Sequence, residues 1–382
     1  MKLTKVETFR IRPRWLLLRL ETDDGLIGWG EPVVEGRAAT TQACIHELEP
    51  YLLGADPRNV EDIWQTIYRG GFYRGGPVLT SALSGIDQAL WDIKGKAFNV
   101  PVYKLLGGKR RDNLRTYASQ LQFGWSDHAE TLTTLDEYRE VSKKAVAEGY
   151  DAIKIDFFTY APEDGRRYTD EDCTRLLSPK LVEVVESRVA AVREAIGPNV
   201  DIIMENHSRP DAQSAVQLGR AVQKYNIFYF EEPNTPNPKT AKFISSKLSM
   251  PIAHGERVYS RWQYAPFFED QSIQVIQPDL GNCGGLTEGK KICDMAYVYD
   301  ISVQAHVCAS PLSTAVALHL ESVIPNFVIH EHHTNNLKPW NKELCTVDWQ
   351  PVDGKFKVPE GPGLGCEFTD KVLNTENKII VK

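Results

Sequence analysis

The 382-residue sequence predicts an α/β fold, a (β/α)8-type barrel preceded by an α+β domain and followed by a short tail. Three observations carry the prediction. From Leu114 onward, short apolar runs alternate with amphipathic stretches of helical period, eight times over roughly 230 residues, which is the size of one such barrel. The later runs end in polar residues that a core would reject, at 205, 231, 256, 279, 306 and 331, a nearly constant interval. No glycine-rich phosphate fingerprint follows an early strand, which counts against a doubly wound sheet.

Residues 1–112 have a different texture and form the α+β domain. WLLLRLET alternates as a strand does, Asp24-Gly25 marks a turn, and LIGWGEP returns, which is a hairpin pattern. Helical period follows in TTQACIHELEPYL, VEDIWQTIYRG and TSALSGIDQALWDIKGKA; the last is apolar on nearly every side and is expected to be buried. The domain closes at VPVYKLLGGK, where a glycine pair ends a helix. The barrel takes residues 113–347. Its strands are RTYAS, AIKID, DIIME, FYFEE, IAHGE, IQVIQPD, SVQAH and FVIHE, with AQSAVQLGRAVQKY, KTAKFISSKL and GLTEGKKICDMAYVY among its helices. The turn-rich tail, 348–382, ends in a short apolar run and is expected to pack back on the first domain.

Composition narrows the partners. With 42% hydrophobic and 25% charged residues the chain is ordinary for a soluble globular protein. A net charge of -7 argues against nucleic acid as the partner, while leaving room for a local pocket that takes a small acid. Seven cysteines, without a C-x-x-C pair, read as reduced thiols rather than a disulfide framework or zinc site. The N-terminus lacks the pattern of a signal peptide and no window is apolar enough for a membrane helix, so the expected location is the cytoplasm, with no membrane partner.

The strand ends hold the chemistry. Lys154 and Asp156, Glu205 and His207, Glu231, Glu256, Asp279, His306 and Glu331 fall at one phase of the repeat, which brings them to the C-terminal mouth of a parallel barrel. Glu205, Glu231 and Glu256 end consecutive strands; three oxygen anions there make a half-cage for a hard divalent cation, and Mg2+ suits it better than zinc. Asp279 and His306 end successive strands as well, where an aspartate accepting the Nδ1 proton would fix the tautomer of a general base. His207 lies across the mouth from that pair. The remaining histidines, His333 among them, are read as structural or solvated.

These strings together identify the chain as resembling the enolase superfamily, in its mandelate racemase subgroup. The likeness rests on RPRWLLLRLETDDGLIGWGEPVVEGRA and YRGGFYRGGPVLTSALSGIDQALWDIKGKA in the first domain, and on IKID, ENHSR, FEEP, HGERVYSR, QPDLGNCGGLTE and AHVCASP in the barrel. The resemblance implies that Glu205, Glu231 and Glu256 bind Mg2+, that His306 with Asp279 removes a proton, and that His207 delivers one. It implies further that Glu331 helps hold the developing enediolate and that Lys154, Arg209 and Asp156 line the substrate pocket, Asp156 standing where racemases of the subgroup carry a second lysine. The first domain would act as a lid, through Pro32, Glu35 and Arg37 on one loop and Phe72, Tyr73 and Arg74 on another. The implied reaction is Mg2+-dependent dehydration of an acid sugar to a 2-keto-3-deoxy acid, with D-galactonate as first substrate and D-mannonate or D-gluconate as alternatives. Racemisation or epimerisation of a hydroxy acid, and a non-catalytic binding barrel, are the other readings. A homo-oligomer, dimer or octamer, is implied too. Glu205 replaces the usual aspartate, and the stretch FFTYAPEDGRRYTDEDCTRLLSPKLVE after the second barrel strand is long enough to reach over the mouth.

Overall fold

The computed structural model describes residues 1–382. The first sheet begins with β1 (Leu3–Ile11), β2 (Trp15–Thr22) and β3 (Ile27–Gly30), all antiparallel. β2 and β3 are the hairpin read from the sequence. β1 was not legible there, because Lys5, Glu7 and Arg10 interrupt its apolar residues; in the fold Glu7 pairs with Lys5 and with Arg19 of β2. Helices 38–47, 60–70 and 77–97 cover the sheet, and Val6, Leu16, Leu18 and Leu20 share a core with Ile63, Trp64, Leu83, Ile86 and Leu90. As its sequence suggested, helix 77–97 is buried on most sides.

The barrel follows as eight parallel strands: β4 (Asn113–Ser119), β5 (Ala152–Asp156), β6 (Asp201–Glu205), β7 (Ile227–Glu231), β8 (Ile252–His254), β9 (Val275–Ile276), β10 (Ser302–Val303) and β11 (His330–His333). Each pairs with the next from β4 to β10, and β11 pairs back on β4. A parallel bridge between Val303 and Phe327 joins β10 to the start of the last unit and closes the ring. Tyr117, Ala152, Ile203, Tyr229, Ala253, Val275 and Ile329 fill the interior as one layer. Since side chains alternate along a strand, the inward residues two positions on, including Lys154, Glu205, Glu231 and Glu331, form the next layer toward the mouth. Seven full helices follow the first seven strands; the eighth unit has only a turn at 334–337 and a short helix at 339–342.

The tail divides between the two bodies. β12 (Lys355–Lys357) pairs antiparallel with β4 at the end of the barrel away from the mouth, and β13 (Lys378–Val381) joins the first sheet beside β1. Packing on the first domain alone was expected, and the barrel-side strand is the difference. Phe356 of β12 lies edge-on to His330 and His332.

The first domain docks on the loops that leave β9 and β10. Val33 N–H donates to Gly281 O at 2.8 Å, Gln88 Nε2 to Leu280 O at 2.8 Å, and Trp64 Nε1 to Gly284 O at 2.8 Å. Buried Glu31 accepts from Ser310 N at 3.1 Å and Oγ at 2.5 Å. Helix 311–323, wedged beneath, is buried all round. All seven cysteines are free thiols, and no helix is long and apolar enough to cross a membrane.

Candidate active site

Strand register brings the acids together. Asp156, Glu205 and Glu231 are successive backbone partners on β5, β6 and β7. The register partner of Glu231 on β8 is Ala253; two residues on, just past the strand, stands Gly255, where a Cβ would lie 2.3 Å from the Gln277 backbone, so no side chain fits there. The carboxylate of the next residue, Glu256, reaches in instead. One oxygen from each of Glu205, Glu231 and Glu256 lies within 4.8 Å of the others.

The donor set fits a hard divalent cation. All three are oxygen ligands, and Glu231 Oε2 is buried without a hydrogen-bond partner. Burial and the charges of Glu205 and Glu331 push the Glu231 carboxyl up to about 8 despite Lys154 beside it, the mark of anions crowded out of water. A divalent ion would relieve that crowding.

Lys154 lies beneath these acids, fully buried, and does not line the substrate pocket. Its ammonium donates to Glu231 at 2.6 Å and stands 2.9 Å from Glu331 and 3.4 Å from Glu205. Burial opposes the charge, but the three carboxylates outweigh it and hold the pKa well above the usual lysine value. Glu331 is committed likewise: one oxygen accepts from Ser119 at 2.6 Å and faces Lys154, and the other accepts the Val307 N–H at 2.8 Å. In place of an exposed oxygen for the enediolate, the geometry gives it the task of ordering the segment that follows His306.

Two histidine–aspartate pairs face the carboxylates. His306 Nδ1 is 2.8 Å from Asp279, its Nε2 is 3.2 Å from Glu256, and Asp279 and His306 are themselves backbone bridge partners. His207 Nδ1 is 2.6 Å from Asp156, and its Nε2 is 3.2 Å from Glu205. Burial disfavours charge on both rings. For His306 this is outweighed by Glu256, the bond to Asp279 and Glu331, which raise it to about 10; for His207 by Glu205 and Asp156, which raise it to about 9. The sequence argument supplied an aspartate for His306 only. The structure gives both rings the same support, and Asp156 serves His207 instead of facing substrate.

Backbone conformation explains that pairing. His207 and Ser208 have φ values of 47° and 57°, in the left-handed region, where residues other than glycine are uncommon. This tight turn follows directly on β6 and carries the imidazole back over Asp156. Past the turn Arg209 leaves the mouth: it donates to Tyr168 O and stands 3.6 Å from Asp170, so it fastens the long segment after β5 and does not line the pocket. That segment stays beside the mouth. Its Tyr160 packs edge-on against Phe123, one of the basin walls.

The basin over the carboxylates has a volume of about 430 Å³, within the usual range for small-molecule sites. Pro13, Arg14 and Glu35 of the first domain enclose it from above, with Arg14 and Glu35 ion-paired and Arg14 also donating to Cys308 Sγ at 3.0 Å. Of the expected lid residues only Glu35 lines it. Pro32 is buried against Gly85 of helix 77–97, whereas Arg37, Phe72, Tyr73 and Arg74 are exposed and do not line it. Other lining residues escaped the sequence argument. Gln120, just past β4, donates to Glu205 at 2.5 Å, and Arg257 pairs with both Glu232 and Glu256. For Gln120, a polar residue directly after a barrel strand was the available signal.

Comparison with known proteins agrees with this architecture. The profile "Mandelate racemase / muconate lactonizing enzyme, N-terminal domain" matches residues 5–107, and "Enolase C-terminal domain-like" matches residues 137–372. A D-galactonate dehydratase of Pectobacterium atrosepticum is 37% identical, covering 99% of this chain and 95% of its own length. One from Ralstonia nicotianae is 38% identical over 98% and 94%. Among solved structures, a member of the enolase superfamily from Salmonella Typhimurium superposes with a TM-score of 0.97 at 45% identity, covering 100% of both chains. A mandelate racemase/muconate lactonizing enzyme from Sulfitobacter sp. gives 0.87 at 28% identity, over 97% of this chain and 94% of that one. With both domains matched and relatives similar along nearly the whole length, the chain belongs to the enolase superfamily, in its mandelate racemase/muconate lactonizing enzyme family.

Proposed function

We propose that the protein is a Mg2+-dependent acid-sugar dehydratase acting on an aldonate, with D-galactonate the first to try. The observation that carries this is the pair of histidine–aspartate couples held across three convergent glutamates. When bound by Glu205, Glu231 and Glu256, Mg2+ would supply the positive charge that makes removal of a proton beside a carboxylate feasible. His306, its Nδ1 held by Asp279, is placed to take that α-proton through Nε2 once a cation held by Glu256 offsets the carboxylate charge that otherwise keeps the ring protonated. His207, held by Asp156, gives a proton to the departing β-hydroxyl, and the product becomes a 2-keto-3-deoxy acid. The two D-galactonate dehydratases found above support the choice of substrate.

The test is a screen of aldonates and aldarates with purified protein and Mg2+. A 2-keto-3-deoxy product is the expected result, and its absence with every acid would end the proposal. Chelation by EDTA is expected to abolish turnover and added Mg2+ to restore it. The same addition should raise the thermal midpoint, because a ligand at one hundred times its Kd adds about 2.7 kcal/mol of stability.

The likeness of the two couples favours one second reading, epimerisation at C2 with His207 and His306 as opposed bases. In deuterium oxide, deuterium at C2 of substrate recovered with inverted configuration would favour it, whereas loss of the C3 hydroxyl favours dehydration. Asp156→Asn discriminates within the dehydration mechanism. We expect turnover to fall by about a hundredfold, the scale of a positioned acid, while exchange of the C2 proton, the work of His306, continues.

A further inference from the structure

One wall of the basin has no part in this chemistry. It is the end of β11 and the chain that follows, where His333, Thr334, Asn335 and Lys338 line the cavity. Lys338 is only 3% exposed, and no carboxylate stands within ion-pairing distance of it. Its ammonium donates to Ser126 O at 2.7 Å and His128 O at 2.6 Å. An ammonium has three N–H groups, so one is left over. A buried charge with neither counter-ion nor a full set of acceptors is costly, and such groups persist where a ligand completes them.

His333 adds a second donor. Its Nδ1 accepts the Asn335 N–H at 2.9 Å, which leaves the ring proton on Nε2, where no protein acceptor meets it. Burial holds the ring neutral. His333 is the register partner of Ser119, which itself bonds Glu331, whereas Lys338 is bonded to the loop at 126–128 beyond the end of β4. The order along the wall is therefore reacting centre, His333, Lys338. The wall is also stiff, since Thr334 Oγ1 donates to Gly124 O at 3.1 Å and joins the Lys338 bonds in clasping the loop after β4.

We propose that this wall is the specificity element for the far end of the acid sugar, with His333 donating to a mid-chain hydroxyl and Lys338 to the terminal oxygen. The inference rests on the acid-sugar reading above. It makes the protein selective for a long polyhydroxy acid and a poor host for short hydroxy acids.

The experiment compares a six-carbon aldonate with its 6-deoxy counterpart, in binding calorimetry and in turnover, on wild type and Lys338→Met with Mg2+ present. Wild type should prefer the parent acid by about 10- to 100-fold, the range for one hydrogen bond to a charged group. In Lys338→Met that preference should vanish, because the parent acid loses affinity and the 6-deoxy acid does not. Equal losses on both acids, or no preference in wild type, would overturn the proposal and leave Lys338 a structural clasp. Binding separates the two readings. An acid bound with a Lys338-dependent preference but never dehydrated supports this wall and defeats the activity, and failure to bind any acid sugar defeats both. If Lys338→Met does not fold, Lys338→Gln, which keeps a donor for the clasp, carries the same comparison.

Discussion

Replacing His306 by asparagine is expected to lower kcat by about 10²- to 10⁴-fold, the usual contribution of a positioned base. The Michaelis constant should change little. Asparagine retains a polar group near Asp279 but cannot accept a proton at neutral pH, so the loss falls on a step made only in the transition state. Calorimetry should show Mg2+ affinity nearly intact, since Glu205, Glu231 and Glu256 would supply the ligands and His306 touches only Glu256 among them, at 3.2 Å. Exchange of the C2 proton in deuterium oxide should stop as well. An enzyme that still exchanged that proton would require another base.

Lys154→Met should have the largest effect on stability. The ammonium is fully buried and lies within 3.4 Å of three glutamates that are themselves buried. Its removal leaves like charges facing one another away from water, and breaking a buried ion pair from one side costs about 3–5 kcal/mol. Chemical denaturation without divalent ions should show a loss of that order. Mg2+ should restore a larger share of stability to the variant than to wild type, because the cation then answers charge that nothing else does. Equal stabilisation of both proteins would show that Lys154 and the cation act on different carboxylates.

The sequence exposed what strand period controls. Glu205 and Glu231 are register partners, and Asp279 and His306 bridge one another, so residues at equal intervals had to converge once the barrel was recognised. Period says nothing of depth. Lys154 and Asp156 sit two residues apart on β5 and face inward alike, yet the first is sealed beneath the cluster and the second holds His207. Nor does period reach past a turn. The left-handed pair at 207 and 208 reversed the expected roles of Asp156 and Arg209, and Arg14, Gln120 and Lys338, which lie outside the strands, had no repeat to mark them. Paired charges concealed β1 for the same reason they are tolerated in it: Glu7 has cationic neighbours only after the strands assemble.

The docking of Val33 on Gly281 bears on how such an enzyme changes its diet. Gly281 follows Asp279 by two residues and donates its N–H to that carboxylate at 2.7 Å, and a Cβ on it would stand 2.6 Å from Val33 Cγ2. The strap that carries Glu35 is thus rooted in the backbone that steers the base. Insertions or deletions at that root would shift the Asp279 that holds the imidazole, whereas exchanging the side chain of Glu35 further along leaves that backbone in place. Descendants of this protein should therefore acquire new substrates by swapping side chains on a strap of unchanged length.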